Sequence, residues 1–546
     1  MKLKGLPNRA YNILFHTHTV SGIAISFALY VIFFAGAFTL FRNEFYQWEN
    51  PEARIPLVKT IDYNAVVDQI KAENPAFKTE NDIRMVLPTE ANPLLLVRGQ
   101  LSKNKKEVEY FEAIYNPVKK TYTLSKGNEG AASTIGETLF RLHYLQQIPA
   151  VGMYLAGLVA LFFAFASITG LLIHWRNIFS KFYGFSLKGS WKQIWTNSHT
   201  VFGLLGLPFQ LMYAITGTFY IFSILILIPG VLAFYGGNQK KALDILRPDG
   251  AIVLKDSSPQ KSYKGAVLKT ISQLEKENPD FGISSLSIRH YDREDAILTA
   301  RISKSENFTG NGMITVSLKD GKKLINIIPG SKTYVQSVLE GIGRLHFGEF
   351  GGIFLKTIYF ILALFTCFVI LSGVLIWKEA RNKKEYTAKQ KKFHHRVTMW
   401  YLSVCLMMLP AIALLFILEQ TIALNSHRHT FYVNTAFFSI WFLLTIRGAT
   451  GLKEERKLMK FTLILLGIFS VFIPLINGLM TGDWIWTSAV QGNFYVMGVD
   501  LFWLVTGIVS FGILYLMDRN SNRAISLKGS LNSSSIRQKP ANKAEV

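Results

Sequence analysis

Apolar residues lie in long, nearly unbroken runs along this chain and do not alternate with polar ones. Eight runs approach the ~20 residues that a helix needs to cross about 30 Å of hydrocarbon. They cover residues 19–41, 150–173, 200–228, 353–377, 397–418, 431–446, 461–478 and 494–517. The pattern predicts an α-helical polytopic membrane protein with about eight transmembrane helices.

Two polar stretches, 42–149 and 229–350, separate these runs. In the first, the segment 65–71 has the apolar spacing of a helix and is followed by Asn-Pro. Residues 115–122 and 316–324 each have the pattern of two strands joined by a turn. We therefore expect each stretch to form an α+β domain outside the membrane.

The net charge of +23 is distributed as a topology signal. The segments 1–16, 175–198, 378–396, 447–460 and 518–546 together carry +20 of it. Basic residues accumulate on the cytoplasmic side of membrane proteins. The distribution predicts cytoplasmic N- and C-termini, with both polar stretches on the opposite face. Nucleic acid is not an expected partner, because the charge follows the loops and forms no binding patch.

The chain contains an internal repeat, since four short motifs occur twice in the same order. The pairs are His18-Thr-Val-Ser-Gly22 with His199-Thr-Val-Phe-Gly203, Glu73-Asn-Pro-Ala-Phe77 with Glu277-Asn-Pro-Asp-Phe281, Arg141-Leu-His143 with Arg344-Leu-His346, and Gly170-Leu-Leu-Ile with Gly373-Val-Leu-Ile. Each repeat is a span, an outside domain and a returning span. Two repeats of the same direction are related by an axis along the membrane normal.

That symmetry pairs four histidines at two depths. His143 and His346 should meet near the outer face, and His18 and His199 near the inner face. Two facing imidazoles are the axial ligands that a b-type haem takes in a helix bundle. The less specific interpretation is that these histidines are ordinary interfacial side chains.

The arginines beside the outer pair, Arg141 and Arg344, are candidates for binding haem propionates, because guanidinium pairs bidentately with carboxylate. Their alternative is a role as interfacial anchors. Only two cysteines are present, Cys367 and Cys405, which excludes a four-cysteine iron–sulfur cluster within the chain. Zinc is less favoured, since no carboxylate lies beside these histidines in the sequence.

The motifs resemble those of the PepSY-associated transmembrane proteins, also called iron-regulated membrane proteins, some of which are ferric-siderophore reductases. The resemblance covers about residues 10–400 and rests on His-x-x-x-Gly, Phe41-Arg-Asn-Glu44, Leu142-His, Thr169-Gly-Leu-Leu and their second copies at His199, Thr216-Gly217, Leu345-His346 and Ser372-Gly373.

The resemblance implies a four-helix core that binds two b-type haems, in a bacterial inner membrane, beneath two periplasmic α+β PepSY-like domains. It also implies electron transfer outward to the Fe(III) of a siderophore. The corresponding division of the chain is 10–41, 150–174, 199–228 and 351–377 for the core helices, 42–149 and 229–350 for the PepSY-like domains, 395–517 for four additional helices, and 518–546 for a disordered basic tail.

The chain departs from the family pattern in two ways. His174 stands where the second repeat has Trp377, and four spans follow the repeats. The inner haem therefore has rival ligands, His174 and His395, beside the pair His18 and His199.

Two other functions stay open at this point. PepSY-like domains also suggest a non-enzymatic envelope regulator of peptidases, and parallel repeats occur in transporters. The spans lack charged residues apart from Lys356 and Asp500, which gives a transport pathway little support. No cytoplasmic segment contains Gly-x-Gly-x-x-Gly after a strand, so the electron donor is expected to be a quinol or a separate cytoplasmic reductase.

Overall fold

The computed structural model describes the chain except residues 1–6, 102–109, 126–132, 176–179, 181, 182, 184, 187, 188, 247, 256, 264, 305, 306, 423–427 and 537–546. The chain divides into two units, residues 1–394 and 395–546. The first unit contains both repeats.

The helices of the first unit are α1 (Asn8–Thr39), α2 (Arg42–Glu49), α3 (Tyr63–Glu73), α4 (Thr134–His143), α5 (Gly152–His174), α6 (Trp191–Leu205), α7 (Leu207–Tyr235), α8 (Gln239–Leu246), α9 (Pro248–Ala251), α10 (Ala266–Glu277), α11 (Tyr334–Phe347) and α12 (Gly352–Ala380). Helix α13 (Ala388–Thr421) begins in the first unit and runs into the second, which contains α14 (His429–Ile446), a π-helical turn at Arg447–Gly451, α15 (Glu455–Thr481), α16 (Ile485–Gln491) and α17 (Phe494–Ile536).

Among the described residues, seven helices are long and apolar enough to cross a membrane, and a bent pair would make an eighth if it forms one span. This agrees with the eight apolar runs, and the protein is a multi-pass membrane protein. The bent pair is α6 with the first part of α7, which meet at 67°.

The prediction of one continuous span over 199–228 was therefore wrong in detail. The break falls at Gly206, and Pro208 follows as the second residue of α7. Proline has no N–H for the helical ladder, and glycine adds backbone freedom. In the first repeat, Ile25 and Phe27 lie at the same distances from His18 as Gly206 and Pro208 lie from His199. Helix α1 is unbroken there.

The core of the first unit is a bundle of α1, α5, α12 and the bent pair. Helix α1 packs against both α5 and α12, whereas α6 packs against α12 and α7 packs against α5. Each returning span thus contacts helices of both repeats, which is how one residue from each repeat can reach a shared site.

The two polar stretches form a single sheet domain, although the sequence predicts two separate domains. Its strands are β1 (Ile83–Val86), β2 (Leu95–Gln100), β3 (Tyr110–Asn116), β4 (Thr121–Ser125), β5 (Gly282–Arg289), β6 (Ile297–Ser303), β7 (Asn311–Ser317) and β8 (Lys323–Ile327). The order is β4-β3-β2-β1-β5-β6-β7-β8, with every neighbouring pair antiparallel.

The junction of the two halves is the pairing of β1 with β5. Met85 lies opposite Leu286 there, and Ile83 lies opposite Ile288. All four side chains are buried in one hydrophobic core that also takes residues from α3 and α10. The helix and the two strand–turn–strand patterns predicted from the sequence are confirmed as α3, β3–β4 and β7–β8.

Two short amphipathic helices, α4 and α11, connect the sheet domain to the returning spans. Each begins with a side-chain cap: Ser133 accepts from the Gly136 N–H, and Thr333 forms a capping box with Gln336. Each ends with the Arg-Leu-His motif. The motif is therefore held on a rigid helix at the mouth of the bundle.

The second unit has buried polar pairs inside its apolar helices. The Glu419 carboxylate lies 2.8 Å from the His429 Nε2, and the Asn477 amide donates to Asp500 at 2.8 Å. Helix α17 continues to Ile536, into the segment 518–546 that the sequence predicts to be disordered, and residues 537–546 lie outside the described part of the chain. Extending an existing helix costs far less than starting one, so a polar sequence can follow an apolar helix.

Candidate functional site

The structure brings the four repeated histidines together as two pairs. His18 on α1 and His199 on α6 have ring centroids 6.2 Å apart, with ring planes at 73°. His143 on α4 and His346 on α11 have centroids 6.0 Å apart, with planes at 48°. Both pairings are those that the parallel repeat predicts, one residue from each repeat.

Both inner histidines are held by the same kind of hydrogen bond to a backbone carbonyl oxygen. The Nδ1 of His18 lies 2.9 Å from the Ala166 carbonyl oxygen, and the Nδ1 of His199 lies 2.9 Å from that of Val369. Each carbonyl belongs to the residue four positions before the repeated glycine, Gly170 or Gly373. Because a carbonyl oxygen only accepts, each Nδ1 carries the proton and each Nε2 keeps its lone pair.

The outer histidines reach the same tautomer by two routes. The Nδ1 of His143 donates to the Ile32 carbonyl oxygen at 2.8 Å. The Nδ1 of His346 lies 2.9 Å from the Thr216 hydroxyl, whose own proton is donated to the Met212 carbonyl. The hydroxyl oxygen therefore accepts from His346. All four imidazoles present an unprotonated Nε2, the form that binds a metal ion.

Burial keeps the outer pair neutral. It lowers the pKa of His143, and it lowers the pKa of His346 to about 3, with the neighbouring imidazole lowering the latter further. A neutral imidazole has a lone pair to offer a metal ion, and a protonated one has none. Both outer side chains are thus ligand-competent at neutral pH.

Glycines let the rings approach the helices closely. A Cβ at Gly36 would lie 2.6 Å from the His143 Nδ1, and a Cβ at Gly170 would lie 3.0 Å from the His18 Cε1. In each repeat the glycine at Gly36 or Gly217 follows the inner histidine by 18 residues. That equal spacing marks both positions in the sequence, although a Cβ at Gly217 would meet Ala160 and not a histidine.

The spacing of each pair fits two imidazoles on opposite sides of one metal ion. A metal–imidazole bond is about 2 Å, and the ring centre lies about 1 Å behind the nitrogen, which gives centroids about 6 Å apart. In the described part of the chain, no three His, Cys, Asp or Glu side chains form a metal-binding group. Two axial protein ligands per site are what haem takes, since its macrocycle supplies the rest, whereas zinc takes three or four protein ligands.

A cavity of about 370 Å³ surrounds the outer pair. Its walls are mainly apolar and come from α1, α5, α7 and α12. The lining includes Leu29, Phe33, Gly36, Phe140, Ala156, Phe163, Phe209, Tyr213, Gly217 and Ile221 as well as His143 and His346. A concave apolar space with a few convergent polar groups is the usual form of a cofactor site.

The two sites are separated along the bundle. His18 and Ile32, whose carbonyl binds the outer His143, are 14 residues apart on α1. At 1.5 Å per residue this is about 21 Å. One site therefore lies toward each end of the core.

The family model for the PepSY-associated TM region matches residues 15–380. The chain belongs to this family. No curated protein matches it in a comparison of whole sequences. The matched segment contains all four paired histidines and the whole sheet domain, so the PepSY-associated region is the first unit almost in full.

The PepSY-associated region ends before His395, and the structure gives that residue other partners. Its Nε2 lies 2.9 Å from the Lys453 carbonyl oxygen, and its Nδ1 lies 3.4 Å from Glu455, both in the second unit. With both nitrogens engaged, His395 is a poor rival for a metal. His174 is the last residue of α5 and half-buried. The ring centroids of His18 and His199 have the spacing expected of two imidazoles that bind one metal ion.

The arginines of the Arg-Leu-His motifs do not line the outer cavity. Arg141 forms an ion pair with Glu137 at 2.7 Å. Arg344 donates to the carbonyl oxygens of Asn307 and Phe308 in the sheet domain. The Arg141 contact is a local i,i+4 pair within α4, whereas the Arg344 contacts join segments that are far apart in the sequence. The basic side chains that do line the cavity are Arg42 and Lys356.

Proposed function

We propose that this PepSY-associated membrane protein binds two b-type haems and passes electrons across the bacterial inner membrane to a ferric siderophore. The observation that carries the proposal is the pair of two-histidine sites with centroid spacings of 6.0 and 6.2 Å. Haem, when bound, supplies reversible one-electron chemistry at its iron.

The residues of the chain have defined tasks in this proposal. His143 and His346 hold the outer haem, and His18 and His199 hold the inner one. The hydrogen bonds that each Nδ1 donates fix the orientation of the ring and increase the basicity of each ligand. Apolar walls exclude water from the outer site.

Electron transfer across the membrane needs two haem sites, because one site cannot cover the distance. A membrane core of about 30 Å is too wide for one efficient electron transfer step. The offset of about 21 Å along α1 divides that distance. The charge distribution supports an inner pair that faces the cytoplasm, where a quinol or a cytoplasmic reductase would supply electrons.

The proposed acceptor lies at the sheet domain. Reduction of a chelated Fe(III) adds one electron and gives Fe(II), which hard oxygen donors hold less strongly, so no bond of the chelator has to break. The fused eight-stranded sheet is connected to α4 and α11, which carry the outer pair, and offers one continuous surface on which a bulky chelate would be oriented.

The test is to reduce the purified protein without oxygen and add a ferric siderophore with an Fe(II) trap. We expect reoxidation of the haem absorbance to follow the amount of trapped Fe(II). The gallium form of the same siderophore, which cannot accept an electron, is the matched control. Haem that stays reduced with every ferric chelate would exclude the reductase activity. A purified protein without a Soret band would support the envelope-regulator alternative.

A further inference from the structure

The outer cavity has an unsymmetrical polar edge that the repeat does not predict. The lysine and arginine side chains in its lining are Arg42, at the start of α2, and Lys356, on α12. Glu349 is the acidic residue in the lining. This edge lies where the bundle meets α2, which leads into the sheet domain.

Arg42 is fixed in place without a carboxylate partner among the described residues. Its guanidinium lies over the Phe140 ring at 5.0 Å, and its Cβ packs where α4 has Gly136. Stacking on an aromatic ring leaves the planar N–H donors available at the guanidinium edge. Such a group is suited to bind a carboxylate of a ligand in the cavity.

Lys356 is a buried cation whose partner is also buried. Its Nζ lies 2.7 Å from Glu44 Oε1, and the two side chains are 10% and 11% exposed. An ammonium group has three donors, so two remain after this contact. In the described structure the second oxygen of Glu44 has no hydrogen-bond partner. Lys356 can thus share its charge between Glu44 and an anionic group in the cavity.

We propose that Arg42 and Lys356 bind the two carboxylate side chains of the outer haem and orient that edge toward α2 and the sheet domain. The inference rests on the proposed function, and it replaces Arg141 and Arg344 in this role. Arg42 is the stronger partner, because Glu44 offsets part of the positive charge at Lys356.

The test compares binding of haem with binding of its dimethyl ester, which lacks both charges. The chain carries His18→Ala, so that only the outer site is followed, and is produced in cells that cannot make haem. We expect the wild-type outer site to bind haem about tenfold or more tightly than the ester, as charge-assisted hydrogen bonds imply. Arg42→Gln should remove most of that preference by weakening haem binding and not ester binding.

Lys356 needs a variant that does not leave Glu44 unpaired in the protein interior. The double variant Glu44→Gln with Lys356→Met removes both charges together. A reduced preference for haem over the ester supports a direct role of Lys356, and an unchanged preference excludes it.

Arg141→Gln and Arg344→Gln are the matched controls, because each removes a nearby arginine that does not line the cavity. Loss of the preference in these variants, with retention in Arg42→Gln, would overturn the inference. Equal binding of haem and ester by the wild-type site would overturn it too while leaving the proposed function intact. Failure to bind either compound would instead refute the haem site itself.

Discussion

Single atoms determine what the four histidines can do. Three Nδ1 atoms donate to carbonyl oxygens and the fourth donates to a threonine hydroxyl, so every Nε2 is left unprotonated. Interfacial histidines have no need of a common tautomer. The shared hydrogen-bonding pattern favours metal ligation over that simpler interpretation.

The contact between Gly36 and His143 provides a test at this scale. Gly36→Ala would place a methyl group 2.6 Å from the His143 Nδ1, so the imidazole would have to move. We expect the outer haem to be lost or its low-spin spectrum to change, with a destabilisation of about 1–3 kcal/mol. The measurement is the absorbance spectrum and haem content of the purified variant.

Gly230→Ala on α7 is the matched control, because Gly230 does not line the outer cavity. There the added Cβ would meet no described atom within 4 Å. This variant should keep both haems. Equal loss in the two variants would show that the close approach to His143 has no special role.

The sequence predicts the four histidines more completely than it predicts the residues around them. Repetition is visible in sequence, so His18, His199, His143 and His346 can be paired from the repeated motifs alone. Arg42 has no arginine counterpart in the second repeat. The residue that follows His199 at the distance at which Arg42 follows His18 is Ser223. A symmetry argument therefore selects Arg141 and Arg344. The contacts of Arg344 with the sheet domain depend on tertiary structure, whereas the Arg141–Glu137 pair is an i,i+4 contact within α4.

At the scale of elements, the two repeats are joined in the sheet as well as in the bundle. The pairing of β1 with β5 produces one core from two copies of a four-stranded unit. Sequence patterns predict strands and turns, because these depend on neighbouring residues. They do not show which edges pair over about 200 residues, so two domains were expected where one sheet is formed.

Leu286→Ala tests the shared core. Leu286 on β5 is 1% exposed and lies opposite Met85 on β1. Truncation should cost about 2–5 kcal/mol. We expect hydrogen exchange to increase in both halves, in β1–β2 as well as β5–β6. The control is Val86→Ala on an exposed position of β1. Increased exchange confined to β5–β8 would mean that the halves are independent.

At the scale of the whole molecule, the proposed direction of electron transfer depends on membrane orientation. The basic segments predict that both termini lie in the cytoplasm and the sheet domain on the other side. Because α4 and α11 link the outer pair to the sheet domain, the same orientation would place that pair on the periplasmic side.

Reporter fusions test this orientation. A reporter active only outside the cytoplasm should be active after Lys304, between β6 and β7, and inactive after Lys391 in α13. A reporter that folds only in the cytoplasm should give the opposite result at each site. The reverse pattern would place the sheet domain inside and exclude reduction of a periplasmic chelate.

The most direct test of the two-haem claim is the ratio of haem to protein in the wild-type chain and three variants. Since each haem takes two axial histidines, we predict about two haems per chain in the wild type and about one in His143→Ala, in His346→Ala and in the double variant. The double variant should lose no more haem than either single variant, because both residues bind the same iron. A wild-type chain without haem would contradict the account, as would single variants that retain both low-spin haems.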